Sequence, residues 1–270
     1  MKKYLVIGNP IEHSLSPLIH NYWMKKYNLP DSIYEKQKIE ERDLKNIIKE
    51  TRDDEIVGVN VTVPFKKLII PFLDKLDFIA TKTESVNTLF KIKNKIVGYN
   101  TDEPGFALTM QELFPDPMRL KGKNIFVLGA GGVTSSIISA LENQGAQIFL
   151  SNRTKKKAED LKKKYTKIEV LDWGKRPPIC DIVINTTSIG LVKSEKINID
   201  FSDCIGDKNK LFYDLIYNPK ETNFLKEARL RGNNTMNGQK MFLNQAIYAF
   251  NLWTNITPKI DDEVIKLLDR

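Results

Sequence analysis

Apolar positions along the chain change their spacing several times, and each change predicts an element. Tyr4-Leu5-Val6-Ile7 is a continuous apolar run closed by the turn Gly8-Asn9-Pro10, and it reads as a strand. Ser16-Pro17 reads as a helix start, with Ser16 as N-cap and Pro17 in the first turn, and this helix runs to about residue 27. A strand over 33–39 follows, then a helix over 40–49 spaced through Leu44, Ile47 and Ile48. The β-branched stretch 56–63 predicts a strand that Pro64 ends. Leu68, Ile69, Phe72 and Leu73 predict a helix that Pro71 bends or splits. Segments 86–92 and 96–99 flank Lys93-Asn94-Lys95 as a hairpin.

Beyond residue 102 the alternation becomes regular. A helix over about 105–113 leads into a linker punctuated by Pro115 and Pro117. Strands at 124–129, 146–151, 168–171, 182–185 and 211–215 alternate with helices around 137–141 and 155–165, which predicts a doubly wound parallel sheet. Helices over 221–229, 239–252 and 261–268 end the chain. The fold class is therefore α/β: an N-terminal mixed α/β domain, residues 1–104, completed by the C-terminal helices 239–270, and a Rossmann-type domain over 105–238, with a cleft between them.

Charge and cysteine usage narrow the partners. The 270 residues carry 42 Lys and Arg against 34 Asp and Glu, a net charge of +8. The densest lysines, 155–157 and 162–164, share an amphipathic helix with Ala158 and Leu161 and read as a solvated face. No aromatic residues interleave with them, so no nucleic-acid partner is expected. Cys180 and Cys204 form no CxxC, and the histidines are His13 and His20, so neither a disulfide framework nor a metal site is expected. The first apolar run is too short for a signal peptide and no span is visible, so a cytoplasmic protein without a membrane partner is expected.

Two regions carry candidate chemistry. Gly129-Ala130-Gly131-Gly132 lies between a predicted strand and a predicted helix, where glycine lets the backbone turn and lets a pyrophosphate approach free helix amides. Thr134 stands where GxGxxG has its third glycine. The next predicted strand ends in Ser151-Asn152-Arg153-Thr154, without the acidic residue that would hold a ribose 2'-hydroxyl. Arg153 there suits a 2'-phosphate and hence NADP, with Asn152 and Thr154 beside it; a helix cap with one surface arginine is the plainer reading. In the first domain, Asn60, Thr62 and Lys66 share one strand-to-helix junction, and Asp102 sits at the exit of the 96–99 strand, a placement from which open α/β proteins build a cleft. Ser14 and Ser16 flank a proline turn, and Ser16 alone is more often a cap than a ligand.

Taken together, these motifs resemble the shikimate dehydrogenase family. The resemblance rests on Gly8-Asn9-Pro10 with Ser14-Leu15-Ser16-Pro17, the 60–66 segment, Val86-Asn87-Thr88, the 98–102 segment, the glycine loop, Asn152-Arg153-Thr154, the 185–190 and 213–217 segments, and Gly238, Met241 and Gln245 before the 249–254 run. It implies NADP-dependent, reversible reduction of 3-dehydroshikimate to shikimate in chorismate and aromatic amino-acid biosynthesis, by a monomer or weak homodimer. Lys66 and Asp102 resemble the catalytic pair. Ser14, Ser16, Asn60, Thr62, Asn87 and Gln245 resemble substrate ligands. Gly129, Ala130, Gly131, Gly132, Asn152, Arg153, Thr154, Thr187, Ile216, Gly238 and Met241 resemble cofactor contacts. The chain departs from the family pattern at Glu103-Pro104-Gly105 and at Gln239, Lys240 and Phe242, which leaves room for quinate as a substrate. A nucleotide-binding regulator without catalysis is the contrasting reading, and it expects a broken Lys66 or Asp102.

Overall fold

A computed structural model describes residues 1–116, 120–207 and 209–268. Pro117 of the expected linker lies outside them. The chain divides into two compact units, Met1–Gly105 with Leu243–Arg270, and Phe106–Phe242.

Unit 1 is built on a mixed sheet. In chain order it holds β1 (Lys2–Gly8), α1 (Ser16–Lys26), β2 (Ser32–Lys38), α2 (Leu44–Arg52), β3 (Gly58–Val61), α3 (Phe65–Leu68), β4 (Lys75–Leu76), α4 (Phe78–Thr83), β5 (Thr88–Ile92), β6 (Lys95–Tyr99) and the start of α5 (Asp102–Leu113). The sheet order is β2-β1-β3-β5-β6-β4. β1 pairs parallel with β2 and β3, while β5 pairs antiparallel with β3 and β6. Leu5, Ile7, Val59, Val61 and Leu89 pack with Leu44, Ile47 and Ile48 of α2 on one side. On the other, His20, Trp23, Tyr4 and Tyr34 meet aromatic rings from the end of the chain.

Several local expectations needed correction. Ser16 is the first residue of α1 rather than its cap: Leu15 precedes the helix, and the Ser14 hydroxyl accepts from the Ser16 amide at 3.4 Å. The 40–49 helix is a 3-10 turn at Glu41–Asp43 followed by α2. Pro71 does split its helix, into α3 and a 3-10 turn at Ile70–Phe72. The 56–63 strand is shorter than its β-branched run, so Thr62 lies just past β3. α5 begins at Asp102, three residues earlier than predicted, because the Asn100 side chain accepts from the Glu103 amide and caps the first turn.

Unit 2 contains β7 (Asn124–Leu128), α6 (Thr134–Asn143), β8 (Gln147–Ser151), α7 (Lys155–Lys164), β9 (Ile168–Leu171), β10 (Ile182–Asn185), β11 (Leu211–Asp214), α8 (Asn223–Leu230) and β12 (Asn234–Met236). The strands lie in the order β12-β11-β10-β7-β8-β9, every neighbour parallel. The order reverses between β7 and β10, the point at which doubly wound sheets open a crevice beyond their strand ends. Buried Ile125, Val127, Ile148, Leu150 and Ile184 form one face of its core, packed with Ile137, Leu141 and Leu161. Phe126, Leu128, Val183 and Phe212 face the other, with Phe201 and Phe224. α9 (Gln239–Thr254) then runs into unit 1, where α10 (Asp262–Leu268) follows. Among the described residues, no helix is long and apolar enough to cross a membrane, and no three His, Cys, Asp or Glu gather as metal ligands.

Candidate active site

The ends of β3, β5 and β6 bring a polar network into the interior of unit 1. Pro64 cannot donate to the ladder, so the chain leaves β3 and turns into α3. This places Lys66 with its carbonyl accepting from the Val86 amide at 2.9 Å. The Lys66 Nζ donates to Asp102 Oδ2 at 2.6 Å, and the two side chains are 11% and 7% exposed. Asp102 occupies the first turn of α5, where the helix dipole favours a carboxylate. Its Oδ1 accepts from Asn87 Nδ2 at 3.0 Å. Asn87 is itself held, its Oδ1 accepting from the Thr101 amide at 2.7 Å.

Gln245 joins from α9, with its Oε1 3.5 Å from Asn87 Nδ2. The approach depends on Gly105. A Cβ there would stand 2.7 Å from the Gln245 amide nitrogen and 2.9 Å from its Cα, so only glycine lets α5 pass this close to α9. The departure Glu103-Pro104-Gly105 thus keeps the one glycine that the contact needs.

Asn60 closes the network from below. Its Nδ2 donates to Thr88 Oγ1 at 2.9 Å and to the Asn87 carbonyl at 3.2 Å, and its Oδ1 accepts from Tyr34 Oη at 2.6 Å. Thr62 follows at the strand end, where its amide bonds the Ile7 carbonyl and its methyl packs against Gly8. Ser14, on the loop after β1, accepts from the Ser16 amide at the start of α1, and neither serine reaches the Lys66 network through a hydrogen bond among the described residues. Tyr34, Thr88 and Thr101 were missed as network members by sequence reasoning. Thr88 and Thr101 stand beside Asn87 and Asp102 in the motifs, but Tyr34 gives no signal of its own.

In unit 2, the loop after β7 is fixed by side chains from its neighbours. The Ala130 amide donates to Asn152 Oδ1 at 3.0 Å, while Asn152 Nδ2 donates to the Thr154 carbonyl at 2.8 Å. Thr154 stands at the N-cap position of α7, but its hydroxyl makes no capping hydrogen bond. Gly129 has φ +106°, and a Cβ would fall 2.5 Å from Thr186 Oγ1. Thr134 takes over the third glycine's place with a hydroxyl: it accepts from the Gly131 amide at 3.0 Å and lies 2.8 Å from Thr186 Oγ1. A Cβ on Gly131 would meet nothing within 4 Å, so this side of the loop faces open space at the start of α6. Arg153 is exposed and forms no ion pair with a described residue.

The remaining expected cofactor positions surround Asp214. Its Oδ1 accepts from the Ile216 amide at 3.0 Å and from Asn185 Nδ2 at 3.1 Å, and its Oδ2 from Thr222 at 2.6 Å. Burial pushes its carboxyl up to about 6, against the pull of those donors. Asn185 Oδ1 in turn accepts from the Thr187 amide at 3.0 Å and its hydroxyl at 2.7 Å. Gly238 donates to the Ile216 carbonyl at 3.1 Å, and a side chain there would collide with the Leu215 carbonyl oxygen. Met241 is buried one turn into α9. Asp214 and Asn185 were not singled out from sequence, although both lie in its motifs.

A cofactor with a pyrophosphate and a 2'-phosphate fits this half. It would find a glycine whose missing side chain leaves room, a ten-residue helix opening behind it, and an unpaired guanidinium after the next strand.

The chain is similar to known proteins along its length. Residues 6–89 match the shikimate dehydrogenase substrate binding domain, and residues 110–222 match the shikimate/quinate 5-dehydrogenase domain. The NADP(+) shikimate dehydrogenase of Pelagibacter ubique is 49% identical over 269 residues, spanning 99% of both chains. The crystal structure of shikimate dehydrogenase from Aquifex aeolicus superposes with a TM-score of 0.88 at 35% identity, covering 100% of this chain and 98% of that one. The Thermus thermophilus shikimate 5-dehydrogenase, solved with NADP(H) and shikimate, gives 0.84 at 29% identity over 100% and 98%. With both family domains matched in order and a relative this similar along its whole length, the chain belongs to the shikimate dehydrogenase family.

Proposed function

We propose that the chain catalyses the NADP-dependent, reversible reduction of 3-dehydroshikimate to shikimate. The observation that carries this reading is the buried Lys66–Asp102 pair, braced by Asn87 and Gln245. A lysine and a carboxylate are costly to bury, and both remain intact where the regulator reading expects a loss. NADPH, when bound, supplies a hydride to the ketone carbon.

The residues of unit 1 handle the charge and the proton. As hydride arrives, negative charge grows on the carbonyl oxygen, and the Lys66 ammonium donates a hydrogen bond and then a proton to it. In the oxidative direction Lys66 takes the hydroxyl proton back. Asp102 holds the ammonium in place and accepts from a substrate hydroxyl. Gln245 binds a ring hydroxyl, Asn87 keeps Asp102 in place beside the ring, and Ser14, Ser16 and Thr62 hold the substrate carboxylate. Asn60 has spent its donors inside the protein, on Thr88 and the Asn87 carbonyl.

In unit 2, Gly129, Ala130, Gly131 and Gly132 hold the pyrophosphate, and Asn152, Arg153 and Thr154 the 2'-phosphate. Thr187, Ile216, Gly238 and Met241 line the nicotinamide side. Residues 1–104 with 239–270 form the substrate domain and 105–238 the NADP domain. The enzyme works in the cytoplasm as a monomer or weak homodimer.

Initial rates with shikimate and quinate, each with NADP and NAD, test the assignment. Shikimate with NADP is expected to give the highest kcat/KM. Comparable rates with quinate would favour the broader shikimate/quinate enzyme, and no oxidation of either would refute the catalytic reading.

A further inference from the structure

We infer that Tyr34 is a positioning residue for the reaction and acts through Asn60, which is itself a positioning residue and not a substrate donor. This rests on the function proposed above and assigns a role to two side chains of the same site.

Asn60 has two amide protons, and both are committed within the protein, one to Thr88 Oγ1 and one to the Asn87 carbonyl. It is only 8% exposed. The Asn87 carbonyl can only accept, so it sets which way the amide points and leaves Oδ1 to accept from Tyr34 Oη at 2.6 Å. Without the phenol, the buried Oδ1 would lose the donor that anchors the side chain against Asn87. Tyr34 thus anchors the Asn60 side chain, and the effect is passed on: Asn60 holds the main chain of Asn87, whose side chain holds Asp102, which holds Lys66.

The phenol can do this because its ring has no freedom. Tyr34 is 1% exposed and stacks on His20 at 4.3 Å with the planes 3° apart; Trp253 lies against it at 6.2 Å. Both His20 ring nitrogens are buried without a hydrogen-bond partner among the described residues, so the box around Tyr34 is apolar in character. The hydroxyl projects from an aromatic box into the polar network, with the ring clamped behind it.

Tyr34→Phe removes the hydroxyl and leaves the stacking in place. The cycle of Tyr34→Phe, Asn60→Ala and the double variant is read in kcat and KM for shikimate, KM for NADP, and thermal melting. Tyr34→Phe is expected to lower kcat/KM for shikimate about tenfold and leave KM for NADP unchanged. In the Asn60→Ala background the same change is expected to cost almost nothing further, since its route to the site is gone. If Asn60→Ala does not fold, Asn60→Asp replaces it, keeping an acceptor for Tyr34 but losing both donors. Wild-type kcat/KM in Tyr34→Phe overturns the inference, as does a full tenfold loss repeated in either Asn60 background, or an equal loss for NADP. An inactive wild-type protein would instead refute the proposed function.

Discussion

Replacing Lys66 by alanine separates two consequences of one buried pair. The ammonium lies 2.6 Å from Asp102 Oδ2, and both side chains are almost fully out of water. Removing it leaves Oδ2 bare in the interior, while Oδ1 keeps its bond from Asn87. Breaking a buried pair from one side costs about 3–5 kcal/mol of stability, and the surviving Asn87 bond puts this case near the lower figure, about 3 kcal/mol. The kinetic loss has a different origin. A donor aimed at an oxygen that becomes charged is worth about 2.7–4 kcal/mol in the transition state, a hundred- to thousandfold in kcat. KM for shikimate should move far less, because that charge is absent from the bound ground state. Asp102→Asn keeps the shape and removes the charge that holds the lysine. Urea denaturation gives the first quantity, and steady-state kinetics on both single variants and the double gives the second. The kcat losses should be strongly non-additive, since the two groups work as a unit. Wild-type kcat in Lys66→Ala, or losses that simply multiply, would refute the paired mechanism.

Three further outcomes are expected. Arg153→Ala should weaken NADP ten- to hundredfold, from loss of a charge-assisted contact worth about 1.5–3 kcal/mol, and leave NAD unchanged; equal losses in KM would reject the 2'-phosphate role. Gly131→Ala should keep its melting temperature, since the methyl meets no atom, yet raise KM for NADP; Gly129→Ala, with φ +106° and a 2.5 Å clash, should lose about 1–3 kcal/mol of stability. Burial holds the His20 imidazole down to about 3. The unfolded chain therefore takes up a proton below about 6.5 that the folded chain refuses, so this stability is full above that pH and is lost as pH falls toward 3. Relative to His20→Phe, the wild-type protein should lose about 2.5 kcal/mol between about pH 6 and 4, at roughly 1.4 kcal/mol per unit at the lower end. Asp214, pushed up to about 6, works in the opposite sense, its buried charge being relieved on acidification. It is present in both proteins and drops out of the difference, which denaturation curves across this range measure.

The strands of unit 2 were the most legible part of the fold. Ile182–Asn185 was read to the residue, because a strand buried along its whole length is a near-continuous apolar run with sharp ends; Ile168–Leu171 was read as closely although it lies at the sheet edge with Glu169 exposed. β12, Asn-Thr-Met at the sheet edge, carries no such run and was missed. The short pieces β4 and α4 were missed for a related reason: six residues or fewer leave no period to read. At the site, Lys66, Asp102, Asn87 and Gln245 were named in advance and do meet through hydrogen bonds. Tyr34 was not, since an aromatic residue on a strand looks the same whether its hydroxyl is used or idle. Ser16 shows the reverse error: serine before proline suggested a cap, but Ser14, two residues earlier, supplies the oxygen.

The rings that complete unit 1 are among the last to be synthesised. Trp253 fills the space left by the absent side chain of Gly58, coming within 2.6 Å of where a Cβ would stand, and lies 5.3 Å from Tyr4. Phe250 packs on Trp23 and His20. On the ribosome, β1, β2 and β3 therefore emerge with one face uncovered, and they stay so while the whole of residues 106–242 is made. The second sheet has all its strands before the first has its cover. Unit 2 is thus the part that can fold as it is translated, and unit 1 passes through an interval with Tyr4, His20, Trp23 and Tyr34 exposed to other chains, the kind of surface that chaperones bind.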